Sequence, residues 1–333
     1  MRPKCLRPPV SGVEQIRRWA CTALAECIEL SGYMLTFFAT AKPFHGHDAI
    51  IQRNALESWK RLAQDVEVIL FGDEPGAAEV CAELGLRHEP HAERHESGMK
   101  YLNYMFDRAQ RIARYDYLCY SNCDIILMND FMEAFRKIIQ WRRSFLFVSQ
   151  RWDTDLREPI EFGSPGWQEA LKRRAKETGL LQTRHFIDYF VFPKGLYDHV
   201  PALVVGRSYW DWWLVWKALF ECAPVIDCTP FVVAVHQNHA YGYHPQGKKG
   251  TNEDTLARRN IELAGNGKHL RMLEDATHRM SSVGIIWPTP LRSLTFRIRR
   301  VLWKNLVQKT FPLRLRLGLR RESLRKALGR ENP

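Results

Sequence analysis

Three carboxylates stand in this sequence where apolar residues or helix starts surround them, and with a group of histidines they define the chemistry to look for. Asp124 lies in Tyr117-Leu118-Cys119-Tyr120-Ser121-Asn122-Cys123-Asp124-Ile125-Ile126-Leu127, an apolar run broken by a small polar knot. Such a run is normally buried on both faces of a parallel sheet, where an ionised carboxylate without a partner is costly. Two placements remove that cost: the open carboxyl end of the sheet, where ligands bind in α/β folds, or a bound cation. The structural alternative is a solvated Asp capping the turn into Met128-Asn129-Asp130. Asp188 sits inside Phe186-Ile187-Asp188-Tyr189-Phe190-Val191-Phe192 and calls for a partner, with Arg151 or Arg207 available. Asp211 opens an expected helix among Trp210, Trp212 and Trp213, either as a cap or as an acid–base group. His236, His239 and His244 cluster after a strand; imidazole is a common ligand for transition ions, and this spacing matches no zinc motif.

The elements that must position these residues alternate. Tyr33 to Thr40 reads as a strand rich in aromatic and β-branched residues, ending in the loop Ala41-Lys42-Pro43-Phe44, which carries no glycine fingerprint for a dinucleotide or a phosphate loop. A helix follows from His47-Asp48, with Ile50, Ile51, Ala55, Trp59 and Leu62 at helical spacing. Val66 to Phe71 is a second strand, ending in Gly72-Asp73-Glu74. A helix from Pro75 to Leu84, a strand near Arg87 to Glu89 and a helix from Gly98 to Tyr115 lead into the stretch around Asp124. Further helices are expected at 131–141 and 167–178, and strands at 145–148, 186–192 and 232–235, with a more polar stretch between 154 and 184 as a lid or acceptor region. This βαβ alternation predicts an α/β fold with a mostly parallel sheet and helices on both faces.

Composition narrows the class. The chain has 333 residues, 45% apolar and 26% charged, which is ordinary for a globular protein, and no run is long and apolar enough to span a membrane. Trp19 to Leu30 is interrupted by Glu26 and Glu29 and reads as an amphipathic helix rather than an export signal. Eight scattered cysteines without a Cys-x-x-Cys pair read as reduced thiols, which argues for a cytoplasmic protein and against structural zinc. The net charge of +12 is uneven: from Leu291 onward, thirteen Lys or Arg face only Glu322 and Glu331. The basic balance therefore belongs to the tail.

Taken in order, Asn122-Cys123-Asp124, Arg151-Trp152-Asp153, Asp188-Tyr189-Phe190-Val191-Phe192, Gly206-Arg207, Trp210-Asp211 with Trp213-Leu214, and His236-Gln237-Asn238-His239 resemble bacterial glycosyltransferases of the GT-A, nucleotide-diphospho-sugar type. The likeness spans roughly Leu35 to Gly265. It implies a Rossmann-like domain that holds a nucleotide-diphosphate sugar over the carboxyl ends of the strands, with Mn²⁺ or Mg²⁺ bridging the diphosphate to an Asp-x-Asp motif. Asp124 then stands at the second Asp, and Asn122 departs from the first by supplying no charge. The resemblance further implies a base and ribose grip by Thr40, Lys42 and Asp73, a phosphate contact by Lys100, donor binding by Arg151, Arg207 and Asn122, the last through a ribose hydroxyl or a metal-bound water, and His239 as a metal ligand, with Lys248 and Lys249 closing over phosphate. Asp211 is the first choice for a general base and Asp188 the second, with aromatics as a platform for a sugar ring. For Lys42 and Lys100 a solvated surface amine is the alternative.

The expected organisation is an N-terminal helical extension over 1–32, a glycosyltransferase domain over 33–285 and a basic amphipathic tail over 286–333. In the tail Leu291, Leu294, Ile298, Val301, Leu302 and Leu306 recur at helical spacing between arginines and lysines, a pattern suited to an anionic membrane surface or to packing on the domain. Few aromatics accompany the charge, so nucleic acid is not the expected partner. The function expected is transfer of a sugar to a glycan or lipid-linked glycan in cell-envelope polysaccharide or lipopolysaccharide synthesis, peripherally on the cytoplasmic membrane. The other class is a non-catalytic nucleotide-sugar or glycan-binding protein.

Overall fold

The computed structural model describes residues 34–239 and 254–287. The N-terminal extension, His244, Lys248, Lys249 and the basic tail beyond Trp287 lie outside them. The first strand, β1 (Leu35–Thr40), shows why both faces of the sheet are covered: Leu35, Phe37 and Ala39 enter one apolar cluster and Phe38 the other. Helices α1 (Gly46–Lys60), α2 (Ala77–Leu84) and α4 (Asn129–Trp141) bury their apolar stripes on the first face. On the opposite face lie α3 (Leu102–Ile112) and α6 (Trp210–Phe220). The mostly parallel α/β sheet with helices on both faces is as expected.

Strands β2 (Val66–Phe71) and β3 (Arg87–Glu89) extend parallel from β1 on one side. The chain then crosses to the other side of β1, where β4 (Tyr117–Ser121) also pairs parallel with it. The order reverses between β1 and β4, and the crevice above their carboxyl ends is where α/β sheets bind ligands. Beyond β4 come β9 (Tyr189–Pro193), β6 (Leu146–Val148), β10 (Val225–Asp227), β12 (His278–Ser281) and β13 (Gly284–Ile286), completing nine strands. Strand β9 runs antiparallel to both β4 and β6, which the alternation did not predict.

The larger difference concerns the run around Asp124. Instead of one strand it divides, and the polar knot carries the chain out of the main sheet into β5 (Ile125–Ile126). There β5 pairs antiparallel with β11 (Ala234–Gln237), which pairs parallel with β7 (Arg151–Thr154), edged by β8 (Leu180–Leu181). This second, four-stranded sheet packs Ile126, Val233 and Val235 against Leu171 and Ala175 of α5 (Trp167–Thr178). Trp59 of α1 fixes the junction, its Nε1 donating to the Ile125 carbonyl at 2.8 Å.

Candidate active site

A cavity of about 590 Å³ opens over the β1 and β4 ends, and both sheets contribute to its wall. Thr40 and Lys42 leave β1, Asn122 and Asp124 leave β4, and Arg151 and His236 come from the second sheet. Asp188 precedes β9, while Arg207 and Asp211 belong to the segment that opens α6. Gln52 shapes the loop after β1, accepting from the Lys42 backbone N–H at 2.6 Å and donating to its carbonyl at 3.1 Å.

Asp124 is the meeting point of two strand ends. Because Ile125 lies opposite His236 in the β5–β11 register, Asp124 faces the next residue, and its carbonyl accepts from the Gln237 backbone N–H at 3.1 Å. His239 Nε2 lies 3.1 Å from Asp124 Oδ2 and His236 Nε2 3.6 Å from the same oxygen. Burial would raise the Asp124 carboxyl, yet His236, His239 and Arg151 outweigh it and hold the group well below the usual carboxylate range. Asp124 Oδ1 is buried with no hydrogen-bond partner among the described residues. One ligand atom from each of Asp124, His236 and His239 can lie within 4.8 Å of the others, a donor set that fits a divalent cation. Sequence reasoning placed His236 after a strand; it is inside β11, and the strand pairing that turns it toward Asp124 has no local signature.

A second network lies beside this trio. Antiparallel pairing of β4 and β9 sets Asn122 next to Asp188, whose carbonyl accepts from the Asn122 backbone N–H at 2.9 Å. The Asn122 side-chain amide donates to Asp188 Oδ1 at 2.7 Å, and Arg151 donates to Asp188 Oδ2 at 2.9 Å. Arg151 Nε also donates to Asp153 Oδ1 at 2.8 Å. Asp153 Oδ2 accepts from Gln182 at 2.7 Å, and its Oδ1 lies 3.0 Å from His236 Nδ1. Of the two arginines available to Asp188, Arg151 is the partner. Arg207 is held instead by Asp254 at 2.5 Å, the N-cap of α7 (Thr255–Leu263).

Asp211 lines the same cavity from the first turn of α6, after Tyr209 at φ 84°. This left-handed conformation costs a non-glycine residue roughly 1–3 kcal/mol. Burial pushes the Asp211 carboxyl up to about 7, with the negative charge of Asp188 adding to the rise and the backbone N–H groups of the helix start opposing it. The tryptophans beside it divide their roles: Trp213 is packed in the core, whereas Trp210 and Trp212 also line the cavity. Trp212 Nε1 donates to the His185 carbonyl at 3.0 Å.

The remaining expected contacts fare differently. Thr40 lines the cavity with its Oγ1 buried and unpartnered among the described residues. Lys42 Nζ lies 3.1 Å from Asp48 and 3.4 Å from His239 Nδ1. Lys100 is not a surface amine: 7% of its side chain is exposed, it ion-pairs with Glu74, and burial lowers its pKa against the raising effect of that partner. Asp73 is absent from the wall; its side chain is 72% exposed and pairs with Arg94. Glu74 and Arg94 line the cavity in its place. The backbone explains the exchange, because Gly72 at φ 108° turns the chain so that Glu74 points inward, and a Cβ there would run into the Glu74 carboxylate and the Lys100 stem.

No family model matches this chain, and no curated protein matches it. Solved structures do. Glucosyl-3-phosphoglycerate synthase from Mycobacterium tuberculosis, in complex with Mg²⁺ and uridine-diphosphate, aligns at TM-score 0.43 and 12% identity over 80% of this chain and 86% of that one. S. aureus TarS 1-349 in complex with UDP-GlcNAc aligns at TM-score 0.43 and 11% identity, covering 62% of this chain and 59% of that one. Likeness of this strength carries nothing about what the present chain binds or does, which rests on the cavity itself.

Proposed function

We propose that the protein is a glycosyltransferase of the GT-A kind, moving a sugar from a nucleotide-diphosphate donor to a hydroxyl acceptor. The observation that carries this reading is the presence, in one cavity at the β1–β4 switch point, of a cation-binding trio together with a carboxyl group raised to about 7. Asp124, His236 and His239 would hold the divalent cation, with Mn²⁺ and Mg²⁺ the ions that the family resemblance brings. When bound, such an ion neutralises the leaving diphosphate as the glycosidic bond breaks. Lys42, Lys100 and Arg207 add positive charge to the same cavity for the phosphates. Thr40 and Glu74, each with an unpartnered buried oxygen among the described residues, offer acceptors to the ribose and base.

Asp211 takes the role of general base. A carboxyl near 7 is half ionised at neutral pH, close to the optimum for accepting a proton from a sugar hydroxyl in an inverting transfer. Asp188 is less suited, because one of its oxygens accepts from Asn122 and the other from Arg151. Its role is to position those two side chains. Tyr209, Trp212 and Phe186 line the cavity and offer aromatic faces to a sugar ring.

The acceptor read from the basic tail is a glycan or lipid-linked glycan at an anionic membrane surface, in cell-envelope polysaccharide or lipopolysaccharide synthesis. Among the described residues no helix is long and apolar enough to cross a membrane. The test is release of free nucleoside diphosphate from a panel of nucleotide-sugar donors with Mn²⁺ and a hydroxyl acceptor. Turnover with one donor class supports the reading. Tight donor binding without turnover would leave a nucleotide-sugar or glycan-binding protein, the reading favoured by the commitment of Asn122 to Asp188.

A further inference from the structure

Away from the cavity, three rings gather at the last edge of the main sheet. Trp141 closes α4, His278 opens β12 and Trp287 follows β13. The His278 ring lies 4.8 Å from that of Trp141 and 4.2 Å from that of Trp287, centroid to centroid. His278 is buried and anchored from behind: its Nδ1 lies 2.8 Å from Thr277 Oγ1, which accepts from the Val225 N–H and donates to the Val225 carbonyl. Burial and the neighbouring Arg142 lower the imidazole to about 4, so at neutral pH the stack carries no charge. The two indoles remain 41% and 46% exposed, and Arg142 and Arg143 stand exposed directly after Trp141.

We propose that the Trp141–His278–Trp287 edge, with Arg142 and Arg143, is the face of the folded domain that docks on an anionic lipid surface. This deepens the membrane placement proposed above and rests on it. Indoles settle at the boundary of a bilayer, where an apolar ring and a polar N–H are both satisfied, and the arginines beside them match anionic headgroups.

The course of the chain favours a bilayer over other occupants. Trp287 leads into the stretch that carries thirteen Lys or Arg against Glu322 and Glu331. The first of these, Arg292, is five residues past Trp287, so it lies within about 18 Å of the stack however the chain runs. Charge attraction and apolar insertion thus reach one surface together. Attraction alone is screened by salt, and stable anchoring needs a second, apolar contribution. None of the stacked residues lines the cavity, so docking through them leaves its mouth uncovered.

The experiment pellets the full chain with phosphatidylglycerol–phosphatidylcholine vesicles in about 0.1 M and about 1 M salt, between which the Debye length falls from about 10 to about 3 Å. The parent is expected to keep a bound fraction at high salt. The double variant Trp141→Ser, Trp287→Ser is expected to lose that fraction, with partitioning lower by about tenfold, while binding at low salt persists through the tail. Circular dichroism and unchanged nucleoside diphosphate release check that the variant folds. Should it fail to fold, Trp287→Ser alone carries the comparison, since it alters a single exposed side chain. Equal binding of parent and variant at high salt overturns the docking face and leaves the tail. Absence of parent binding at both salt concentrations overturns the face and the membrane placement together, without touching donor turnover. Self-association of the parent that the variant lacks, with vesicle binding unchanged, assigns the stack to a second copy of the chain and overturns the proposal.

Discussion

Asp211, the proposed general base, ties expected activity and stability to one side chain. Its carboxyl is raised to about 7 in the folded protein, against an ordinary value near 3.8, so between about pH 4 and 7 the native state binds more protons than the unfolded chain. Stability contributed by the protonated form is present at low pH and is lost as pH rises through about 7. The base form grows over the same interval. The expected outcome is a kcat/KM that climbs with pH to a plateau above about 7, while the melting temperature falls across that range. Asp211→Asn should lose activity by about 10²- to 10⁴-fold and melt higher than the parent at pH 8, measured by initial rates and calorimetry. An unchanged rate in Asp211→Asn would remove Asp211 from the base role. Asp124 shows the opposite environment, a buried carboxylate kept ionised by histidines and Arg151.

At the scale of elements, the site depends on how β5 meets β11. Gln237 is fully buried and ties this junction to α1: its Nε2 donates to the Ile51 carbonyl at 2.7 Å, and its Oε1 accepts from Asn54 at 2.9 Å. Gln237→Leu removes both contacts and leaves buried polar groups short of partners, at an expected cost of about 1–3 kcal/mol. Chemical denaturation measures that cost, and a parallel Mn²⁺ titration should show weaker binding because the flanking His236 loses its register. Full metal affinity in a destabilised variant would mean that the β5–β11 pairing does not position the trio. Trp59 braces the same junction from the apolar side. Trp59→Ala is expected to cost about 3–5 kcal/mol, read as a shift of the denaturation midpoint.

For the whole molecule, charge separates the two ends of the proposed function. The residues before Leu291 are nearly balanced, while the tail carries thirteen Lys or Arg against two Glu. Removing 291–333 should reduce pelleting with anionic vesicles and leave pelleting with neutral vesicles unchanged, with salt weakening the difference. Equal partitioning of both forms on anionic vesicles would end the membrane reading. Nucleoside diphosphate release from the donor, with a soluble acceptor present, should persist in the shortened chain, since among the described residues the cavity is lined by residues within 40–239.

Local pattern determined much of this protein. The aromatic and β-branched runs at 35–40 and 66–71 and the helical spacing of Leu102, Met105, Phe106 and Ala109 specify their elements directly, because burial imposes a period on the chain wherever an element packs. Alternation of those elements made the mostly parallel sheet legible, and the polar knot at Asn122-Cys123-Asp124 marked where it opens. The second sheet was not legible, because β5 has two residues and pairs with residues more than a hundred positions away. Nor was the exchange of Asp73 for Glu74, which turns on the backbone angle of Gly72. The pairing of Arg151 rather than Arg207 with Asp188 was equally hidden, since either arginine satisfies the charge and only the β4–β9 and β7–β11 registers choose between them. Asp124 illustrates both limits. Its unusual place in an apolar run was written in the sequence, but the two histidines that keep it ionised reach it only through the tertiary fold.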